Sequence, residues 1–308
     1  MSDILFLQPT FKMRIWGGQK LNQFGYALPF DKTGECWAIS AHPNGQSMIK
    51  NGRFINMTLG QVFRENKQLF NHIKNDQFPL LTKILDANDD LSVQVHPNDE
   101  YALKNEHDLG KTECWYVLDA DQDSFIIYGH HAKTKEMFKS MIEQDRWDEL
   151  LIKKNVKKGD FIYVPSGTIH ALGKGLMILE TQQSSDTTYR LFDYHRIDDK
   201  GQQRELHIDK SIEVSMIPHI DATVYPKVLT LMNSKITSFI SNSYFTVEKW
   251  EINGLYESKN DHYKLMSVID GEGQINGYDI KKGDHFIVCS NVLDIEIIGH
   301  ISLIVSWV

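Results

Sequence analysis

Four side chains of the kinds that bind metal ions recur at spacings that suit a single site. Gln94 and His96 lie two residues apart in a strand-forming run, so both point to the same face of a strand. Glu113 and His170 can reach the same point from neighbouring strands. Two imidazoles, one carboxylate and one amide oxygen suit zinc and leave room for a water or a substrate. The pattern predicts one zinc ion per chain, held by these four residues.

Each candidate ligand also has an ordinary structural interpretation. Histidines on strands are commonly structural, and we expect most of the 13 in this chain to be so. Gln94 could be a polar strand residue bonded to a neighbouring backbone group, and Glu113 could form an ion pair with Lys111. The metal interpretation is favoured because the spacing agrees at His96 and His170, and a turn containing Pro165 and Gly167 precedes His170.

The composition narrows the class of protein. The chain has 308 residues, 41% hydrophobic and 24% charged, as in ordinary globular proteins with one large domain or two of usual size. A net charge of −8 without a long basic run argues against nucleic acid and anionic membranes as partners. No apolar run approaches the roughly 20 residues of a membrane helix, and the N-terminus does not resemble a signal peptide.

Three cysteines, Cys36, Cys114 and Cys289, indicate the expected compartment. Their number is odd, and none belongs to a Cys-x-x-Cys pair. Each lies among apolar or aromatic residues, so we expect small buried side chains rather than disulfides. The chain is therefore expected in the reducing cytoplasm.

Most of the chain is predicted to form short strands broken by Gly, Asn and Asp. Runs of β-branched and aromatic residues of strand length lie at 92–96, 114–118, 124–128, 161–164 and 176–180. Such closely spaced strands are typical of a sandwich or a barrel, so the fold class is predicted to be mainly β.

Helices are predicted at three places. A short helix should begin after Thr58 as its N-cap, and another short one should cover 209–216. An amphipathic pattern over 133–151 predicts the longest helix, packed on the sheet. The apolar face of that helix could alternatively bind a partner.

The chain contains a weak internal repeat. Residues 157–164 (Lys-Lys-Gly-Asp-Phe-Ile-Tyr-Val) are echoed by residues 281–288 (Lys-Lys-Gly-Asp-His-Phe-Ile-Val). A strand ending in Asp-Ala or Asp-Gly precedes each copy, at 115–120 and 266–271. The second copy lacks the candidate ligands, so we expect a duplicate without metal that follows a linker near 218–228.

These motifs together resemble a known family. The Gln-x-His…Glu strand pair, followed by Gly-x5-Pro-x-Gly-x2-His, is similar to the cupin double motif. More specifically, the chain resembles the type I mannose-6-phosphate isomerases, in their short bacterial form. The matching blocks cover roughly the first two thirds of the chain. They are Arg14-Ile-Trp16-Gly-Gly18, Gly34-Glu-Cys-Trp-Ala-Ile-Ser40, Pro79-Leu-Leu-Thr-Lys83-Ile-Leu-Asp-Ala87, Leu91-Ser92-Val-Gln94-Val-His96-Pro-Asn-Asp99, Gly110-Lys111-Thr-Glu113 and Gln182-Gln-Ser-Ser-Asp186-Thr-Thr-Tyr-Arg190-Leu-Phe-Asp-Tyr194.

The resemblance implies a fold and a division of the chain. It implies two cupin-like (jelly-roll) β-barrel domains with a few peripheral helices. Residues 1–222 would form the metal-binding catalytic domain with helical insertions, and residues 223–308 a cupin-like β domain without a metal site. We expect the second domain to be structural and to cover one rim of the pocket at most.

The resemblance also implies an activity. It implies a zinc-dependent aldose–ketose isomerase that interconverts mannose 6-phosphate and fructose 6-phosphate through a cis-enediolate, with a small sugar phosphate as its ligand and a monomeric or weakly homodimeric state. The zinc ligands of the family match Gln94, His96, Glu113 and His170. The matched catalytic positions are Lys83, Lys111 and Arg190, and the matched substrate-binding positions are these three with Trp16 and Ser92.

One family feature is missing from the sequence. Some longer members carry a histidine immediately before the lysine of the Lys-x-Glu block, where this chain has Gly110. A proton-transfer role of that histidine therefore cannot be assigned here. The large helical insertion of those longer members is also absent from the sequence pattern.

The matched cations fit the implied chemistry in more than one way. Isomerisation needs a base, cations beside the oxygens of an enediolate, and a group that holds the phosphate. Arg190 can fork onto two oxygens of either the enediolate or the phosphate, or it could form a surface salt bridge. Lys83 and Lys111 can bind phosphate, and one of them could be the base if nearby positive charge lowers its pKa. The sequence does not identify the base.

Two other functions compete with the isomerase. A cupin that binds sugar phosphate without turnover would keep the ligand set but would not need an enediolate stabiliser such as Arg190. An iron cupin oxygenase usually has histidine-rich or facial-triad ligands, which Gln94 and a lysine-rich pocket fit less well. The identity of the bound metal would distinguish the oxygenase from the isomerase. The binding cupin would be favoured if Arg190→Ala left ligand affinity and biological output unchanged. The pathway that the protein serves and its tolerance for other divalent metals are not encoded in any motif.

Overall fold

The computed structural model describes residues 3–197 and 201–308, and the protein is mainly β as predicted. Its described strands are β1 (Ile4–Gln8), β2 (Thr10–Gly18), β3 (Thr33–Ile39), β4 (Met48–Ile49), β5 (Leu80–Asp86), β6 (Val93–Val95), β7 (Glu113–Ala120), β8 (Phe125–His130), β9 (Leu151–Asn155), β10 (Phe161–Val164), β11 (His170–Leu172), β12 (Leu176–Gln183), β13 (Tyr189–Phe192), β14 (Lys227–Leu231), β15 (Ser234–Ser241), β16 (Thr246–Lys259), β17 (Lys264–Ile275), β18 (Tyr278–Lys281), β19 (His285–Val288) and β20 (Asp294–Trp307). Its described α-helices are α1 (Leu59–Glu65), α2 (Asp99–Asn105), α3 (Lys135–Glu143), α4 (Trp147–Leu150) and α5 (Ile208–Val214).

Two antiparallel sheets from the first two thirds of the chain face each other. A six-stranded sheet has the order β10-β7-β12-β5-β3-β2, and a five-stranded sheet has the order β13-β6-β11-β8-β9. Alternate residues of the strands point between the sheets, and Trp115 and Ile178 from one sheet pack with Ile126 and Tyr128 from the other. All five predicted strand runs lie within these sheets, which confirms them.

A third sheet is built mainly from the last third of the chain. Its order is β14-β15-β16-β20-β17-β19-β1-β4, with β18 paired to β17. The six-stranded sheet packs against it, and the rings of Phe161 and Phe239 stack with centroids 4.4 Å apart. Strand β1 belongs to this third sheet because Leu5 pairs with Ile287. The domain division at residue 222 stays a prediction, and the extreme N-terminus contributes a strand to the C-terminal sheet.

The internal repeat corresponds to the same local structure in both halves. In the first copy the amide of Gly159 donates to the carbonyl of Val117 at 2.9 Å, and in the second the amide of Gly283 donates to that of Val268 at 3.0 Å. Both glycines have a positive φ, 93° and 95°. Each Lys-Lys-Gly-Asp turn thus leads into the second strand of an equivalent antiparallel pair, β7 with β10 in the first copy and β17 with β19 in the second.

The observed helices agree in part with those predicted from the sequence. Helix α1 begins after Thr58, whose side chain accepts a hydrogen bond from the amide of Gln61 in a capping box. The prediction of one helix over 133–151 was wrong. Helix α3 ends at Glu143, Asp145 adopts a φ of 57°, and α4 covers only Trp147–Leu150 before β9 begins. A left-handed residue cannot continue a right-handed helix, so the apolar periodicity spans two short helices.

Two further expectations can be compared with the described residues. Cys36, Cys114 and Cys289 are free and buried, as predicted. No helix among residues 3–197 and 201–308 is long and apolar enough to cross a membrane.

Candidate metal centre and substrate cavity

The three predicted ligands that carry imidazole or carboxylate groups lie together in the interior. His96, Glu113 and His170 are at most 1% exposed, and their potential ligand atoms lie within 4.8 Å of one another. Nε2 of His96 is 3.5 Å from Oε2 of Glu113, and Nε2 of His170 is 3.4 Å from Oε1 of Glu113. Among the residues that the structure describes, this is the single grouping of three such side chains that could hold a metal ion.

Backbone carbonyls orient both imidazoles. Nδ1 of His96 donates to the carbonyl of Thr187 at 2.9 Å, and Nδ1 of His170 donates to the carbonyl of Thr168 at 2.8 Å. A carbonyl can only accept, so each Nδ1 carries the proton and each Nε2 keeps its lone pair. Nε2 of His170 is buried without any hydrogen-bond partner. Such a lone pair fits a metal ion, and the outer hydrogen bonds are those that metal-binding histidines ordinarily make.

Burial keeps both imidazoles neutral. It lowers the pKa of His170 to about 4, with the positive charge of Lys111 acting in the same direction. Burial and Lys111 also hold the pKa of His96 well below its ordinary value. The neutral form is the one that binds a metal, so these ligands are ready at neutral pH.

The predicted turn explains how His170 reaches the site. The amide of Thr168 donates to the carbonyl of Pro165 at 3.1 Å, and Gly167 within this turn has a φ of 85°. The amide of Gly167 also donates to the carbonyl of His96 at 2.8 Å. This bond ties the turn to the segment that carries the other histidine, so the turn places both rings.

Gln94 occupies the middle of a row of three strands. On β6 it is the cross-strand partner of His170 on β11 and of Arg190 on β13. Directly opposite residues in antiparallel strands share a face, so the three side chains point to the same side of the sheet. Gln94 also lines the cavity described below. Its register therefore fits the predicted role as fourth ligand.

Lys111 contacts the same atoms that a metal would bind. Its ammonium donates to Nε2 of His96 at 2.9 Å and to Oε2 of Glu113. A second carboxylate, Glu180, lies 3.7 Å away from the ammonium. Burial opposes the charged form, but Glu113 and Glu180 raise the pKa of Lys111 above its ordinary value. Because the ammonium and a metal ion compete for Nε2 of His96, metal binding would displace Lys111 toward the cavity.

A cavity of about 390 Å³ opens beside this cluster. Its volume suits a small molecule. The lining residues are Arg14, Trp16, Glu35, Lys83, Leu85, Leu91, Ser92, Gln94, Lys111, Glu180, Asp186, Thr188, Arg190 and Arg204. All predicted substrate-binding residues therefore meet in one place. The lining comes from residues 14–204, so no described residue of the C-terminal sheet lines this cavity. The part of the chain that was expected to be structural, with one rim of the pocket as its largest contribution, adds nothing to the described lining.

Lys83 lies in the middle of the six-stranded sheet. On β5 it pairs with Glu180 on β12 and with Trp37 on β3. Its ammonium is 3.8 Å from a Glu180 oxygen and 4.8 Å from the centroid of the Trp37 ring. The buried Lys83 ammonium thus lies between a carboxylate and an aromatic face, both of which attract a cation.

Arg190 differs from the other arginines of the cavity in its partners. Its guanidinium donates to Oγ of Ser92 at 3.3 Å and to the carbonyl of Glu205 at 2.8 Å. No carboxylate of the described residues forms an ion pair with it, whereas Arg14 forks onto Glu35 and Arg204 forks onto Asp193. Burial and the neighbouring charge of Arg204 lower the pKa of Arg190. Arg190 is thus a cation whose charge is not compensated by a carboxylate.

The sequence did not identify Glu180 as a site residue. This carboxylate is 3% exposed, and the indole of Trp115 donates to it at 3.3 Å and to Glu113 at 3.0 Å. Burial and the negative charge of Glu113 raise the pKa of Glu180. A glutamate directly after the apolar run 176–179, within the same predicted strand, was the signal that could have indicated it. Arg14, Glu35 and Arg204 were also missed, although Arg14 and Glu35 lie in matched blocks.

Comparisons with known proteins cover nearly the whole chain. A family model for the catalytic domain of type I phosphomannose isomerase matches residues 4–138, and a model for the cupin domain of mannose-6-phosphate isomerase matches residues 235–308. The chain is 51% identical over 316 residues to mannose-6-phosphate isomerase ManA of Bacillus subtilis, covering 99% of each chain. It is 50% identical over 312 residues to the mannose-6-phosphate isomerase of Streptococcus mutans, covering 99% of this chain and 98% of the relative.

A solved structure agrees in fold along the full length. The crystal structure of mannose 6-phosphate isomerase from Bacillus subtilis superposes with a TM-score of 0.97 and 45% sequence identity, covering 100% of both chains. The predicted cupin-like architecture is confirmed by this agreement and by the cupin-domain match to the C-terminal part.

Proposed function

Because the chain belongs to the type I phosphomannose isomerase family, we propose that it interconverts mannose 6-phosphate and fructose 6-phosphate with the aid of a bound zinc ion. The observation that carries the zinc assignment is the buried cluster of His96, Glu113 and His170, in which Nε2 of His170 lacks any protein partner. Three protein ligands of nitrogen and oxygen type, with an amide beside them, suit a catalytic zinc site with an open position.

The metal would be held by Nε2 of His96, Nε2 of His170, the carboxylate of Glu113 and the amide oxygen of Gln94. When bound, it supplies a Lewis acid that polarises the sugar oxygens and fixes the geometry of the site. The outer hydrogen bonds to Thr187 and Thr168 hold the imidazoles in position. We propose one ion per chain, which the single such cluster in the described part of the chain supports.

The proton between C1 and C2 would be moved at the metal end of the cavity. Lys111 and Glu180 both face this end, and their charged atoms are 3.7 Å apart. Glu180 is a carboxylate of the cavity that neither belongs to the ligand cluster nor forks onto an arginine, and burial raises its pKa toward the range of a general base. Lys111 and Lys83 lie beside it and would stabilise negative charge on the enediolate oxygens.

The phosphate would lie toward Arg190, at the other end of the cavity. Arg190 and His170 flank Gln94 on adjacent strands, so their backbones are separated by roughly 10 Å, two strand spacings. This separation suits a hexose phosphate whose reacting carbons and phosphate are at opposite ends. Five cationic and three acidic side chains line the cavity among the described residues, which favours a dianion. Arg190 would accordingly fork onto phosphate oxygens.

Three further predictions are kept in the proposal. We retain Trp16 and Ser92 as substrate-binding residues, since both line the cavity. We also retain the cytoplasm as the compartment, because three buried free thiols fit reducing conditions.

The test is conversion of mannose 6-phosphate to fructose 6-phosphate by the purified protein, before and after chelation and after zinc is added back. We expect turnover to disappear with the chelator and to return with zinc. Turnover that survives complete metal removal would contradict the metal role. No turnover in a folded, zinc-loaded sample would contradict the isomerase function and favour a protein that only binds sugar phosphate.

A further inference from the structure

An apolar stretch of the chain is exposed beside one edge of the nine-stranded sheet. The fraction exposed is 54% for Leu229 and 99% for Met232. The exposed large apolar side chains of this stretch are Ile220, Tyr225, Val228, Leu229, Leu231 and Met232. They fall within thirteen consecutive residues, 220–232, whereas isolated exposed apolar residues are scattered elsewhere. Clustered exposure of this kind marks a surface that another molecule covers.

The backbone at this edge has unused hydrogen-bonding groups. Strand β14 is the terminal strand of the sheet and pairs with β15 on one side, and all five of its residues are exposed. The two-residue loop between β14 and β15 closes on the pair Leu231 and Ser234, so the ladder bonds to β15 come from Leu231, Leu229 and Lys227. The N–H and C=O groups of Val228 and Thr230 therefore point outward. Such an edge is a template for another strand.

We propose that β14 pairs antiparallel with β14 of a second copy of the chain, about a two-fold axis at Leu229. In this register Val228 of one copy lies opposite Thr230 of the other, and their outward groups exchange hydrogen bonds on both sides of the axis. Leu229 then lies opposite Leu229 of the second copy as a non-hydrogen-bonded pair, where the side chains are closest. The outward N–H and C=O groups of Val228 and Thr230 are thus at the positions that this register requires.

The side chains favour a second copy as the occupant. Leu229 is the outermost member of an apolar row that continues through its cross-strand partner Ile236 to Trp250 and Leu303. A second β14 would bring apolar side chains to both faces of this edge. Leu229 and Leu231 share one face with Lys227, and Val228 shares the other with Thr230. Pairing of β14 with β14 of a second copy would therefore join the apolar row of one sheet to the same row of the other copy's sheet.

Charge and topology favour a closed dimer. Lys227 is the single charged residue of β14, and antiparallel pairing places the two lysines at opposite ends of the interface. At the other end of the sheet, β4 has only two residues, and Ile49 is 1% exposed. That edge offers no comparable apolar strand, so association stops at two chains instead of forming a filament. A five-residue strand gives a small interface, so we expect a dissociation constant on the order of micromolar.

Sedimentation over a range of protein concentrations tests the proposal. The wild type should shift from monomer to dimer, and Leu229→Lys should weaken association at least about tenfold, because two ammonium groups would meet on the axis. Leu255→Lys is the matched control, since Leu255 is 57% exposed on β16, in the part of that strand that pairs with β20 and lies away from β14 and β15. Both variants should keep full isomerase turnover because neither residue lines the cavity. A wild type that stays monomeric, or association that is lost only in Leu255→Lys, would overturn the proposal.

A cysteine on the axis tests the register. Leu229→Cys would bring two sulfur atoms together across a pair whose Cα atoms lie about 4.5 Å apart, a distance that permits a disulfide. The native cysteines are buried and should not interfere. Under mild oxidation we expect a covalent dimer from Leu229→Cys and none from Leu255→Cys. A dimeric Leu229→Cys protein that fails to cross-link would reject the two-fold axis at Leu229.

Discussion

The Nζ atom of Lys111 lies 2.9 Å from Nε2 of His96, the nitrogen through which this histidine would bind a metal. The lysine and the metal are therefore alternative partners of one lone pair. Lys111 is also held by Glu113 and lies near Glu180. This arrangement places the Lys111 ammonium at the metal end of the cavity. A substitution of Lys111 can therefore distinguish a catalytic role of the lysine from a supporting role in the metal site.

Replacing Lys111 with methionine should separate those roles. Methionine fills the same space without charge, so zinc should bind at least as tightly as in the wild type, because a competing cation is removed. Turnover should fall by about 10²- to 10⁴-fold, the usual contribution of a group that moves or stabilises a proton. Zinc titration of the chelated protein and steady-state kinetics measure the two effects. Loss of zinc together with turnover would show that Lys111 supports the metal site instead.

Replacing His170 with alanine should remove metal and activity together. The ring is fully buried, and Nε2 has no other partner, so nothing nearby can replace it as a ligand. Zinc content per chain, measured on the purified variant, should fall from near one to near zero, and turnover should become undetectable. His262→Ala is the control, because His262 is 44% exposed and far from the cluster in sequence. A zinc-replete His170→Ala protein would refute the ligand assignment.

Replacing Arg190 with alanine should leave the metal in place. Its guanidinium contacts Ser92 and the carbonyl of Glu205, and it touches none of the three buried ligands. The value of kcat/KM for mannose 6-phosphate should fall by about 10- to 100-fold or more, the cost of losing charge-assisted hydrogen bonds to the substrate. Arg190→Lys should recover only part of the lost kcat/KM, because an ammonium cannot donate to two oxygens in the paired geometry of a guanidinium. Near-normal kcat/KM in Arg190→Ala would refute the phosphate assignment.

Local signals indicated part of the cluster of potential metal ligands, and the family resemblance completed the set with Glu113. Strand periodicity placed Gln94 and His96 on one face, and the Pro165–Gly167 turn explained the position of His170. Both signals act within a few residues, so they can be read without knowledge of the sheet order. The same holds for the capped start of α1 at Thr58.

Long-range pairing determined what the sequence could not indicate. Glu180 joins the site because β12 lies between β5 and β7, which brings it beside Lys83 and Trp115. That strand order depends on contacts among residues about 60 to 100 positions apart. Strand β1 is a stronger case, since Leu5 pairs with Ile287 across nearly the entire chain. No local pattern contains such information.

A buried histidine outside the cavity should make stability depend on pH. His285 is 1% exposed, its Nε2 lies 2.6 Å from the hydroxyl of Tyr26, and burial lowers its pKa to about 3. The His285 side chain binds a proton near pH 6.5 in the unfolded chain but only near pH 3 in the folded chain. The contribution of His285 to stability is therefore fully present above pH 6.5 and is lost as the pH falls toward 3. Between pH 7 and pH 4.5, protonation of this group alone should lower the free energy of unfolding by about 2–3 kcal/mol.

Urea unfolding at several pH values measures this contribution. The first repeat has Phe161 at the place of His285, so His285→Phe is a natural comparison variant. The variant should be less stable at pH 7, since the hydroxyl groups of Tyr26 and Ser267 lose a partner, but its stability should fall less steeply with acid. Parallel pH profiles for the two proteins would show that His285 does not carry the effect.

The two copies of the Lys-Lys-Gly-Asp turn allow backbone strain to be separated from steric contact. Gly159 and Gly283 have nearly the same φ, 93° and 95°, and make the same turn hydrogen bond. A Cβ at position 159 would meet no heavy atom of the described residues within 4 Å, whereas one at position 283 would lie 2.2 Å from the carbonyl oxygen of Phe24. Gly159→Ala should therefore cost about 1–2 kcal/mol from the left-handed backbone alone. Gly283→Ala should cost about 1–3 kcal/mol more, because the segment carrying Phe24 must move. The difference between the urea midpoints of the two variants measures the cost of the steric contact at position 283. Equal losses of stability in the two variants would mean that the segment carrying Phe24 moves away at no cost.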